Sequence, residues 1–308
     1  MPIATHHVWR PSAGDPLPKG KPLWWTAGPA GELAVLFVRR RFLTHTPYLA
    51  GWIGWGPRVP FDAVLMVRDA DGSVRCLPIE QITMRPGQIG LLPGGRLLIV
   101  NGRSTEDENA AWTPNAAVYS PEGKLADSFC VGDDIDVLVT DSAGSLWVAY
   151  GDEGIYGGHP ESAAGLAGWD ERGRHIWSPA GRLPQWPLAG CAAATEDDQV
   201  WLAWYSSSAE GDTFLSRITP RTGAVTTWPS PVRAPDGLAV CGDRAVLTRR
   251  VHGERFTEVT RARLVQGTWT VTEQERVRVP GRVVLRCGQG REGRLWLRAG
   301  RTWLLVEA

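Results

Sequence analysis

Gly144-Ser145-Leu146-Trp147-Val148 is one instance of a phrase that runs through the whole chain: a small turn residue, a gap, then Leu/Val-Trp-hydrophobic. It returns as Asp198-Gln199-Val200-Trp201-Leu202 and as Gly293-Arg294-Leu295-Trp296-Leu297. Looser copies are Gly31-Glu32-Leu33-Ala34-Val35, Gly95-Arg96-Leu97-Leu98-Ile99 and Asp243-Arg244-Ala245-Val246-Leu247. Six copies in 308 residues indicate a repeat protein, and repetition on this scale decides architecture before any local reading. The copies are rich in Val, Leu, Ile and Trp between Gly, Pro, Asp and Ser turns, which is the composition of strands.

A second landmark sets the period. Strand-turn-strand patterns with a turn glycine occur at 67–74, 118–125, 169–176, 218–225 and 264–269, and their glycines step by 51, 50, 50 and 44 residues. Asp-Gly and Pro-x-x-Gly between alternating hydrophobics are hairpin chemistry. Each unit of roughly 50 residues therefore holds four strands, A to D, and four-stranded units repeated radially are propeller blades. There are six A–B hairpins but five C–D hairpins, and after Trp296 only one more strand, Arg301–Val306, remains. The expectation is an all-β, six-bladed β-propeller forming a single domain over residues 1–308, its last blade completed by the N-terminal strand around Thr5–Trp9. Seven blades is the competing count, requiring a cryptic unit in residues 40–62.

Composition narrows the partners. The 33 basic and 33 acidic residues balance, which argues against nucleic acid or an anionic membrane. Lysine appears only at Lys19, Lys21 and Lys124, so arginine dominates the basic set, as in proteins of GC-rich bacteria. No apolar run approaches the ~18 residues a membrane span needs, and Met1–Arg10 is polar, which predicts a soluble, cytoplasmic protein. The five cysteines are widely spaced with no C-x-x-C, and read as small buried hydrophobes.

In such blades the B–C and D–A connections share one face, where variable loops on a rigid scaffold usually carry function. The B–C connections bring His45, His159 and His252 to that face, with Tyr48, Trp52, Trp55, Trp112, Tyr150, Tyr156 and Tyr205. Inner strands begin there too, near Trp24, Gln88, Asp134, Gly190, Asp236 and Arg282. The third blade is the most heavily charged: Asp133, Asp134 and Asp136 lead into its inner strand, while Asp152 and Glu153 leave the next one. Period-2 alternation puts Asp134 and Asp136 on one side. Crowded carboxylates need arginines, a cation or a shared proton, and Arg249, Arg250 and Arg282 are candidate counter-charges. Asp134 with Asp236 is a candidate oxygen-rich site for Ca²⁺ or Mg²⁺. Candidate catalytic residues are thus Asp134, Asp136, Asp152, Glu153 and His252. Candidate ligand-binding residues are Trp24, Trp52, Trp55, Trp112, Tyr150, Tyr156, Tyr205, Arg249 and Arg282. Capping of backbone N–H groups is the plainer role for any one of these aspartates. No H-E-x-x-H, P-loop or G-x-S-x-G is present, and no G-x-G-x-x-G is expected after a strand.

The D-x-x-G-x-Leu-Trp-Val pattern of Asp141–Val148 resembles the blade repeats of NHL, SMP-30-type and streptogramin-lyase-type propellers. The rhythm spans most of the chain, with close matches in the third blade and weaker ones in the fourth and sixth. SMP-30-type lactonases carry a channel-top metal site beginning with a first-blade glutamate, and Pro22-Leu23-Trp24-Trp25-Thr26 lacks one. Streptogramin-lyase-like enzymes use histidines and an acid near a metal in later blades, and here only His252 is offered. Two functional readings follow. One is a propeller binding a small molecule or peptide at the loop face, extending to a metal-assisted lyase or hydrolase. The other is a non-enzymatic protein-interaction module.

Overall fold

The computed structural model describes residues 5–10, 17–45, 54–208, 210–283 and 288–308. Strand β1 (His6–Trp9) comes first, followed by an antiparallel sheet in the order β2 (Lys21–Ala27), β3 (Leu33–Val38), β6 (Phe61–Arg68), β7 (Val74–Ile82). Between β3 and β6 a small hairpin, β4 (Leu43–His45) with β5 (Trp55–Pro57), stands apart. Among the described residues it is the only strand structure between β3 and β6, in the region that a seventh unit would need.

Three further four-strand sets repeat this plan. They are β8 (Gln88–Leu92), β9 (Arg96–Val100), β10 (Ala116–Tyr119), β11 (Leu125–Phe129); then β12 (Ile135–Thr140), β13 (Leu146–Tyr150), β14 (Leu166–Trp169), β15 (His175–Trp177); then β16 (Pro187–Glu196), β17 (Gln199–Ser206), β18 (Thr213–Thr219), β19 (Ala224–Pro229). A fifth set is β20 (Gly237–Cys241), β21 (Arg244–Arg250), β22 (Phe256–Val265), β23 (Thr268–Arg278). The last set is β24 (Gln289–Arg291), β25 (Arg294–Ala299), β26 (Thr302–Glu307) and β1, the last pair antiparallel with His7 opposite Leu304. The final inner strand is described over Gln289–Arg291, and next to the Arg282 expected from spacing Val283 already bridges Ala299 of β25.

The Leu-Trp-Val phrase has a local cause as well as a packing one. In the turn before β13, Asp141 Oδ1 accepts the backbone N–H groups of Ala143 (3.0 Å) and Ser145 (2.9 Å). Its Oδ2 accepts the indole N–H of Trp147 at 2.9 Å. One carboxylate thus closes the turn and satisfies a polar atom that burial would otherwise orphan. Trp147, Trp201, Trp204 and Trp303 are fully buried. Each removes roughly 150–250 Å² from water, about 4–6 kcal/mol by area as an upper bound. They lie between sheets: Trp147 packs with Val139 and Trp204 in one cluster, and Trp303 with Trp25 and Phe37 in another. Most of the tryptophans are mortar, as the repeat implies.

Two of the inner strands pair directly with one another. β24 runs parallel to β16, with Gly290 opposite Ala194, so the fourth and last sets join into one eight-stranded sheet. This approach requires glycine, because a Cβ on Gly290 would overlap the Leu238 carbonyl and sit 2.5 Å from Ala194 Cβ. Arg291 then reaches across. Its Nε donates to Ala27 O at 3.0 Å, Nη1 to Thr195 Oγ1 at 3.0 Å and to Thr140 O, and Nη2 to Thr140 Oγ1 at 3.3 Å. A single buried guanidinium therefore ties its own eight-stranded sheet to those of β2 and β12 at the A–B-turn end, and burial pushes its pKa down to about 10. At that end the Arg291 side chain plugs the space among the inner strands it bonds.

Candidate functional site

The loop face over the second and third sets is built around a five-residue helix that the sequence reading did not anticipate, α1 (Asp152–Tyr156). Its start is fixed by Asp134, whose Oδ2 accepts the N–H of Glu153 at 3.1 Å and lies 3.4 Å from that of Gly154. This is helix capping by a side chain distant in sequence. Asp134 sits in the left-handed region, φ 55°, just ahead of β12. That conformation costs an L-residue energy, and Asp and Asn bear it best. Gly151 makes room for the acids. A Cβ there would overlap Asp134 Oδ2 and lie 3.1 Å from Asp136 Oδ2, so both carboxylates crowd the same point. Burial raises the Asp134 carboxyl above the ordinary aspartate range, opposed by the nearby Arg103 charge.

Arg103 is the group that makes the cluster tolerable. Its Nε and Nη2 donate to Asp133 Oδ1 (3.0 Å) and Oδ2 (3.3 Å), and its Nη1 to Glu153 Oε2. Asp133 is almost wholly buried and also accepts the Ser104 N–H at 2.8 Å. The hydrogen bond to Asp133 is the main reason the guanidinium is held still higher than usual. Arg103 lies 30 residues from Asp133, on the 101–114 loop, and the sequence reading looked instead to Arg249, Arg250 and Arg282. Those are elsewhere. Arg249 pairs with Glu258 (2.9 and 2.7 Å), Arg250 faces Asp236 with Nε 4.0 Å from Oδ1, and Arg282 is exposed.

The other expected residues separate by position. Tyr150 is a core residue rather than part of the rim: it is fully buried, its hydroxyl donates to Val131 O at 2.9 Å and accepts from Trp169 Nε1 at 3.0 Å, and burial pushes its pKa up. Trp24 likewise belongs to the first hydrophobic cluster. Trp55 is half-buried under the Lys21 ammonium, 4.2 Å from its ring centroid, and His45 meets it edge-on. Tyr205 is half-buried against the core under the fourth set. His252 is exposed in the β21–β22 turn, away from the acids. Asp152 is exposed and bonds only its neighbour's N–H. Tyr156 is 67% exposed. Trp52, with Tyr48 and Cys287, lies outside the described residues.

A divalent cation shared by Asp134 and Asp236 does not fit this arrangement. Asp134 Oδ2 is occupied by helix N–H groups, and Asp236 Oδ2 accepts the Arg250 N–H at 2.7 Å. Among the described residues, no group of three or more His, Cys, Asp or Glu side chains converges as metal ligands do.

Beside the acids a cysteine meets a histidine. Cys130, just after β11, places its Sγ 3.4 Å from His159 Nε2, and His159 Nδ1 lies 3.3 Å from Glu161 Oε2. The second approach is a close contact rather than an aligned hydrogen bond. Trp112 covers the imidazole, ring centroids 4.6 Å apart. His159 is 3% exposed. Burial lowers its pKa, against the pull of Glu161 and Asp133, and raises the Cys130 thiol.

Comparison with known proteins adds the architecture. No protein family matches the chain, and no curated protein matches its sequence. Among solved structures it is similar to a candidate oxidoreductase (glucose dehydrogenase) from Thermus thermophilus, at 12% identity over 99% of this chain and 100% of that one, TM-score 0.52. The hydrazine synthase of Kuenenia stuttgartiensis matches at 13% identity over 93% of this chain and 76% of that one, TM-score 0.50. A streptogramin B lyase matches at 11% identity over 99% and 97%, TM-score 0.46. The chain has a β-propeller-like fold. At these identities the likeness extends to the fold alone. No helix among the described residues is long and apolar enough to cross a membrane.

Proposed function

We propose that residues 1–308 form one six-bladed β-propeller, β1 completing the last blade, and that its loop face binds a small polar molecule over Asp134, Asp136 and Arg103. The observation that carries this reading is the crowding of the Asp134 and Asp136 carboxylates over Gly151, with Asp134 held in a strained backbone and its carboxyl raised by burial. Strain and perturbed acids cluster where a protein binds or reacts. Asp134 is the group suited to take a proton from a bound molecule and return it, while Arg103, bridging Asp133 and Glu153, holds the surrounding charges in place.

A second reading, docking of a protein partner on the same face, is favoured by the exposure of Trp186 (54%) and Tyr156 (67%). The two are separated by thermal-shift measurements with a panel of small polar metabolites on the wild type, Asp134→Asn, Asp136→Asn and a Tyr156→Ala/Trp186→Ala variant. The proposal expects a stabilising compound whose shift is lost in the two Asn variants and kept in the aromatic one. Stabilisation that survives both Asn substitutions would overturn it.

A further inference from the structure

We propose that Cys130, His159 and Glu161 form a nucleophile, base and orienting acid, and that Cys130 Sγ is a site of thiol–disulfide exchange with small disulfides of the glutathione class. The geometry has the three parts such chemistry needs. The thiol lies 3.4 Å from His159 Nε2, and the Glu161 carboxylate, 3.3 Å from Nδ1 without an aligned hydrogen bond, places negative charge beside that nitrogen and so favours the proton on Nδ1 and a free acceptor at Nε2. The Trp112 ring over His159 and the near-complete burial of the imidazole fix its orientation. Cys130 itself is only half-buried. Its Sγ also lies 3.5 Å from Ser104 Oγ and 4.0 Å from Gly132 O, so its proton has three acceptors within reach.

Exchange suits this site better than acyl transfer. Disulfide exchange asks only for a base and a proton donor, both of which His159 supplies, whereas acyl transfer also needs donors placed for an oxyanion. In the step, His159 Nε2 takes the Sγ proton as Sγ attacks one sulfur of the disulfide. A new Sγ–S bond forms, the original S–S bond breaks, and the departing thiolate takes the proton from Nε2. Cys130 is oxidised to the mixed disulfide and the other half of the reagent is reduced to thiol. The charged groups around the pair are Glu161 on the same loop, Asp133 ahead of β12 and His175 in β15. Burial keeps the resting pair neutral, so His159 acts during attack instead of holding a preformed thiolate.

The test is modification of the intact chain by oxidised glutathione between pH 5 and 9, read peptide by peptide by mass spectrometry. Cys76 is the internal reference, an exposed thiol whose pKa is raised above 9.0 and which has no histidine beside it. Its rate should climb about tenfold per pH unit through neutrality. The Cys130 rate should instead rise as His159 loses its proton below pH 6.5, then change less than about threefold from pH 7 to 8. In His159→Gln the Cys130 rate at pH 7 should fall at least about tenfold and regain the steep slope. The wild-type profile stands without that variant. A tenfold-per-unit slope at Cys130 in the wild type, or no mixed disulfide there while Cys76 is modified, overturns the proposal.

Discussion

Asp141→Ala tests whether the Leu-Trp-Val phrase is held by its turn acid or only by burial. The carboxylate accepts three hydrogen bonds, from Ala143 N, Ser145 N and Trp147 Nε1. The indole is the costly one. Trp147 is 0% exposed, so its N–H has no water to turn to, and an orphaned buried donor costs about 1–3 kcal/mol. The two turn amides lie near solvent and should lose roughly 0.5–1 kcal/mol each. The total is about 3 kcal/mol, or a fall in Tm of about 6 °C for a chain of this size. Asp198→Ala is the paired control. Asp198 occupies the turn of a second copy of the phrase, yet it is exposed and accepts from the Gln199 side chain, while among the described residues Trp201 Nε1 has no acceptor. That substitution should stay within about 0.5 kcal/mol. Differential scanning calorimetry of the two variants decides the matter. Equal melting temperatures would refute the claim that one carboxylate organises the turn and the tryptophan together.

Asp134→Asn should flatten the acid limb of the stability curve. The folded carboxyl titrates above the unfolded value of 3.8, so the folded state holds its proton more tightly and stability falls as pH rises through that window. Asparagine removes the penalty while tolerating φ 55° and keeping an acceptor for the helix; denaturant melts at pH 4 and 7 should then agree more closely than in the wild type. Arg291→Lys should lower Tm by about 5 °C, because an ammonium cannot span Ala27, Thr140 and Thr195 as the guanidinium fork does, a loss of about 2–3 kcal/mol in hydrogen bonds from a charged donor.

The strand sets were legible because their signals are local. The turn glycines at 72, 123, 173 and 223 each stand in a β6–β7, β10–β11, β14–β15 or β18–β19 hairpin, and alternation along each strand follows from the pleat. The site was legible only as a neighbourhood. Asp134 and Asp136 do meet, but through a left-handed Asp134 and the missing side chain of Gly151, not through strand alternation alone. Tyr150 was misplaced because a strand's last residue carries no mark of whether its side chain turns to solvent or to the next sheet. Here its hydroxyl found Val131 O.

The sequence by itself determined the period, the strand content and the face on which long loops gather, since hydrophobic alternation and turn chemistry act over a few residues. Tertiary structure alone decided which charges meet. Arg103 with Asp133, Cys130 with His159, and Arg291 with Thr140 are 30, 29 and 151 residues apart. Such pairs are chosen by how neighbouring sheets stack and by which polar groups packing leaves in need of a partner, and no spacing along the chain encodes that.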